Sequence, residues 1–169
     1  MKRSIAFIIL AMTCIVTNAQ EMTDSLYRAQ YKFALSQISP IASQIAGYRE
    51  ELKNVWHEAI YENTYKGEPC DDFNKAVNSY LAERNESFFY PVYLVGVEDV
   101  KKQIKKLNNY PPSYEKAFDE LIDLGIMIDE FHKKVANPDG SYNEFCDETK
   151  DIYTRINRKL YELEMRYTD

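Results

Sequence analysis

Cys70, Cys146, His132 and the adjacent carboxylates Asp71 and Asp72 are the side chains of this chain that could do chemistry together. Two thiols can close a disulfide, and thiolate, imidazole and carboxylate are the donors zinc accepts. Their spacing fits no zinc-finger pattern, so no metal site is assigned. The expected chemistry is a disulfide between Cys70 and Cys146. For a loop of that length the chain-entropy argument gives roughly 4–5 kcal/mol as an upper figure.

His132 lies three residues after Asp129, a single near match to the Glu-x-x-His pairs of di-iron bundles, which need such a pair on each of two helices. Haem needs an axial pair or a Cys-x-x-Cys-His attachment, and the sequence offers neither. Gly-x-Ser-x-Gly, His-Glu-x-x-His and phosphate-cradling glycine loops are absent, and the chain has only five glycines. No catalytic residue and no cofactor is therefore assigned. His132 reads as a hydrogen-bonded core residue near a helix C-terminus, or as the centre of a small-ligand or metal site between helices. His57 reads as solvated.

The elements that must position these groups are helical. Apolar residues recur at steps of four and three through Tyr27, Tyr31, Ala34, Ile38, Ile41, Ile45, Tyr48, Leu52, Val55 and Ala59, a stripe of bundle type. Pro40 interrupts it without changing its phase, which predicts a kink or short break after Ser39. Gly67 and Pro69 end this first helix. A second should open near Cys70-Asp71-Asp72, where carboxylates suit the positive helix start. A third spans about 113–136 with the stripe Phe118, Leu121, Gly125, Ile128, His132, Val135. The fourth opens on Ser141-Tyr142-Asn143-Glu144, a capping box, and its stripe runs from Phe145 through Thr149, Ile152, Ile156, Leu160 and Leu163 to Tyr167. The expected fold is all-α: an elongated up-down-up-down four-helix bundle with kinked or broken first and second helices. The loop holding Cys70 and the loop before the fourth helix, with Cys146 one turn into that helix, then lie at the same end, which is why a disulfide is expected.

The stretch Phe88–Val97, FFYPVYLVGV, breaks the second helix. Tyr90 precedes a proline and is pushed from the helical region, whereas Pro91 suits a first helical position, so a restart at Pro91 is expected. A strand here would lack a partner, and ten residues cannot span a bilayer. Val92, Tyr93, Leu94, Val95 and Val97 point all around the restarted helix, more than one stripe buries. Either a neighbouring segment covers the extra face or it is an exposed aromatic patch. Phe88, Phe89, Tyr90, Tyr93 and Leu94 are the candidate contact residues. The fourteen tyrosines fit packed rings with rim hydroxyls, although Trp56, Tyr61 and Tyr65 could extend a binding surface.

The first residues carry an address. Lys2 and Arg3, an apolar run from Ile5 to Val16 and the small-x-Ala ending Thr17-Asn18-Ala19 form the layout of a secretory signal peptide. Residues 1–19 are read as that signal and 20–169 as one helical-bundle domain, with cleavage near Ala19. The competing reading, a lipid tether at Cys14, fits Ala11-Met12-Thr13 poorly. Removing Lys2 and Arg3 takes the 21 basic residues to 19 against 27 acidic ones, a net charge of −8. That balance excludes nucleic-acid binding, which draws its affinity from phosphate neutralisation. The expected protein is periplasmic or secreted, without a transmembrane segment in its mature chain. It is a non-enzymatic interaction module of the bacterial envelope that contacts another envelope protein through residues 88–97. The alternative is a small-ligand or metal carrier with its site near His132.

Overall fold

The computed structural model describes residues 23–87 and 89–168. The expected signal segment 1–19, Cys14 and Phe88 lie outside the described residues, as does the side chain of Phe89. Five α-helices fill the described chain: α1 Asp24–His57, α2 Phe73–Glu86, α3 Phe89–Lys106, α4 Glu115–Ala136 and α5 Tyr142–Tyr167. The all-α class holds, with five helices rather than the expected four because the second expected helix is two. None is long and apolar enough to cross a membrane.

Helix α1 opens on Thr23, whose hydroxyl accepts from the Leu26 amide at 3.3 Å. It runs through Pro40 without the short break that is one of the two outcomes expected there. The missing proline amide costs one backbone bond, but Leu35, Ile38, Ala42 and Ile45 are buried on both sides of it and hold the helix in register. The helix ends in a π-turn, Glu58–Glu62, followed by left-handed Asn63. A two-stranded hairpin then pairs Thr64–Tyr65 with Glu68–Pro69. Its central residues Lys66 and Gly67 both have positive φ, 54° and 79°, as the right-handed twist of a two-residue hairpin demands.

Asp72 caps α2 by accepting from the amides of Asn74 and Lys75, close to the expected start. The chain breaks at Ser87, whose hydroxyl donates to Arg84 O at 2.7 Å. Helix α3 restarts at Phe89, two residues before the expected Pro91. Pro91 thereby falls in the first turn, where backbone amides have no intrahelical partner to lose. The capping box of α5 forms as read: Glu144 N donates to Ser141 Oγ and Ser141 N to Glu144 Oε2.

Contacts on α1 order the rest. Tyr80 of α2 donates to Glu51 at 2.7 Å, Tyr90 and Tyr93 of α3 pack on Tyr48, and Gly96 faces Ile41. Both helices thus run antiparallel to α1. Tyr31 donates to Ala117 O of α4 at 3.1 Å, and the ring of Tyr31 meets Tyr167 of α5 while Arg49 bonds Thr149. One large core follows these seams, and a smaller one, built on Leu52, Trp56, Val77 and Phe145, fills the end near the hairpin. The buried seam of α4 is Ala117, Leu121, Leu124, Ile128, Phe131 and Val135. It is rotated from the expected stripe, so that Phe118, Gly125 and His132 fall on its flank.

Candidate functional site

The residues expected to contact a partner divide. Tyr90 and Tyr93 are only 7% and 3% exposed and belong to the core. They are therefore corrected from surface contacts to packing residues. Both rings pack edge-on against Tyr48. The guanidinium of Arg84 lies 4.6 Å from the Tyr90 ring centre, with Tyr48 and Tyr80 also close. Arg84 is buried and pairs with no carboxylate among the described residues. Its charge is met instead by Val135 O at 3.1 Å, in the last turn of α4, and by the tyrosine faces. Leu94 is 37% exposed and remains at the surface.

His132 is half-buried, with Nδ1 2.5 Å from the Tyr93 hydroxyl. Burial pushes its pKa below the ordinary value. Asp129 opposes that shift, Lys101 and Arg84 add to it, and Glu98 weakly opposes it. Burial thus favours the neutral imidazole, which shares one hydrogen bond with the Tyr93 hydroxyl, the donor being set by the ring tautomer. Cys70 donates its thiol to Asp72 O at 3.3 Å, whereas Cys146 lies a turn into α5, its carbonyl accepting from Arg49 at 3.0 Å. Both are free thiols, so the disulfide expected between Cys70 and Cys146 is not formed. The sulfur of Cys70 is turned to the start of its own helix instead. Among the described residues no three His, Cys, Asp or Glu side chains converge as a metal ion would require.

A different concavity stands out, a groove of about 550 Å³ between α3 and α4. From α3 come Lys101, Ile104 and Lys105, with Asn108 just beyond it, and from α4 come Phe118, Ile122, Gly125, Ile126 and Asp129. Its depth depends on Gly125: a Cβ there would lie 2.6 Å from Ile104 Cδ1, so glycine lets the isoleucine reach across the seam. Ile122 and Ile126, 37% and 59% exposed, stand one helical turn apart on the outer wall. They are an i,i+4 apolar pair outside the buried seam. Leu94 falls on the same face of α3 as Lys101 and Lys105, seven and eleven residues earlier.

Lys101 bridges the helices at one end, 2.9 Å from Asp129 and 2.9 Å from Glu98. Asp129 also takes Lys133 at 2.6 Å, and the Lys133 and Lys101 ammonium groups hold its carboxyl below the usual carboxylate range. This pairing neutralises the Lys101 end of the groove and leaves a floor lined by Ile104, Phe118, Ile122 and Ile126.

The sequence reading missed this wall because it followed one stripe through α4. The signal was there: Leu121, Ile122, Leu124, Ile126, Met127 and Ile128 crowd eight positions, more than a single seam buries. No protein-family model, no curated protein and no solved structure matches the chain.

Proposed function

We propose that this chain is an exported, non-enzymatic interaction module of the bacterial envelope that seats an amphipathic helix of a partner protein in the α3/α4 groove. The observation that carries the reading is the exposed pair Ile122 and Ile126 beside an apolar groove of about 550 Å³. Apolar surface left in water beside a concavity is the mark of a binding site, and a groove between two helices matches the ridge of a third. In this reading α2 and α3 act as one interrupted arm of an up-down-up-down four-helix bundle, and the partner helix packs on the seam between its second and third arms. Export rests on the layout of residues 1–19.

The test places a photo-crosslinking residue at Ile126 and, as a control, at exposed Tyr161 on α5, in protein expressed in its host. The expected result is a crosslink from position 126 mapped to an amphipathic helix of one envelope protein, absent from position 161 and lost in Ile122→Asp with an unchanged melting temperature. Crosslinks from position 161 alone would overturn the groove as the contact surface. A co-purifying small molecule or metal lost in His132→Ala would favour the carrier alternative, with its site near His132. Intact mass of the host-derived protein checks the export half, which expects a start at Gln20. A diacyl mass on Cys14 would replace it with a membrane-tethered form.

A further inference from the structure

Resting on that docking reading, we infer that the groove selects and orients its partner helix by charge, taking a carboxylate at Lys105 on the α3 rim and a cation along the α4 rim. Four lysines, Lys101, Lys102, Lys105 and Lys106, occupy the last turns of α3 in a chain whose net charge is −6. Their place near a helix C-terminus is favourable in itself, but their pairing differs. Lys101 is held by Glu98 and Asp129, and Lys102 by Asp99 at 2.9 Å. Lys105 lines the groove, is exposed, and forms no ion pair among the described residues.

The opposite rim has the opposite sign. Asp119, Asp123 and Glu130 share the helical face of Ile126, at seven and three residues before it and four after it. All three are exposed and carry no ion pair among the described residues. An apolar floor thus lies between one unpaired ammonium and three unpaired carboxylates. A helix whose apolar ridge enters the groove presents one flank to each rim. Its acidic flank belongs on α3 and its basic flank on α4, and reversing the helix direction would put like charges together. Such rim pairs are exposed, so each changes affinity by only a few-fold, but together they fix orientation and suppress wrong partners.

The test uses two fluorescent helical peptides with the same leucine ridge at i, i+4, i+7. One carries Glu on one flank and Lys on the other, and the second carries Lys on both. With the protein purified from its host at low salt, the mixed peptide should bind roughly three- to tenfold more tightly, and 0.5 M salt should erase the difference. Lys105→Glu should reverse the preference. Equal binding of both peptides, unmoved by Lys105→Glu yet abolished by Ile126→Asp, would overturn charge selection and leave groove docking standing. Binding by neither peptide, or binding untouched by Ile126→Asp, would overturn the docking reading and this inference with it. A concentration-dependent dimer abolished by Ile126→Asp would assign the groove to a second copy of the chain and overturn a foreign helix as its occupant. Both substituted side chains are exposed, and an unchanged melting curve confirms that each variant is folded.

Discussion

The Tyr93 hydroxyl lies 2.5 Å from Nδ1 of His132, joining α3 to α4 eight residues before Lys101 on α3 and three residues after Asp129 on α4, the pair that joins the same two helices again. The hydroxyl can donate to a bare Nδ1 or accept from a protonated one, and burial of the ring favours the neutral imidazole.

Stability should fall on mild acidification. Burial lowers the folded-state pKa of His132 below its ordinary 6.5, so as pH falls the unfolded chain takes up the proton first. The contribution is intact above 6.5 and is lost as pH drops from there toward the folded value. Melting followed from pH 8 to pH 5 should show a decline beginning near 6.5, and His132→Gln should flatten that part of the profile. Asp129 opposes the shift and titrates well below this window, so its effect is separable.

Tyr93→Phe should cost about 1–2 kcal/mol by leaving a half-buried imidazole nitrogen unsatisfied. Tyr93→Asp should unfold the protein or nearly so, since the side chain is core-buried and an unpaired carboxylate there costs more than about 4 kcal/mol. Urea denaturation measures both. A Tyr93→Asp variant that melts like the parent would contradict the buried placement.

Arg84→Ala should lose about 2–3 kcal/mol, because the carbonyl of Val135 loses a charged donor and the tyrosine faces lose their cation. Arg84→Met should lose less, since an apolar chain of similar length refills the space and carries no charge to desolvate. Arg84 Nε has no partner among the described residues, so the guanidinium is only partly satisfied and a hydrophobic replacement should be tolerated. The reverse order in chemical denaturation would mean that the charge outweighs packing.

Gly125→Ala sets two effects against each other. Alanine gains up to about 1 kcal/mol of helix propensity, while its Cβ meets Ile104 Cδ1 at 2.6 Å and pushes that side chain into the groove. The net change in melting should be small, but peptide affinity should fall several-fold. Adding Ile104→Val should relieve the contact and leave the double variant more stable than either single one.

Reductant should leave the melting temperature unchanged, and both Cys70 and Cys146 should label with a thiol reagent once the chain is unfolded without reduction, as free thiols require. Labelling only after reduction would establish a bridge.

The pattern of helices was open to reading because it is local. Steps of three and four, the Asp72 cap and the Ser141/Glu144 box depend on residues within a turn of each other, and α5 buries the whole Phe145-to-Leu163 stripe that its spacing implies. The break before α3 was legible for the same reason, since Pro91 and the loss of the α2 stripe are both local. What spacing could not supply was rotation about each helix axis. A shift of the α4 seam by one position puts Phe131 inside, moves His132 to the flank where Tyr93 meets it, and leaves Ile122 and Ile126 in water. Pro40 failed to break α1 because burial on both sides of it outweighs one lost backbone bond. Tyr90 and Tyr93 became core because Arg84 and Tyr48 close over them, contacts between residues 6 to 45 positions apart in sequence. Composition and periodicity determined that these residues fold as helices. Which faces meet, and therefore where the groove lies, was decided by packing between distant segments.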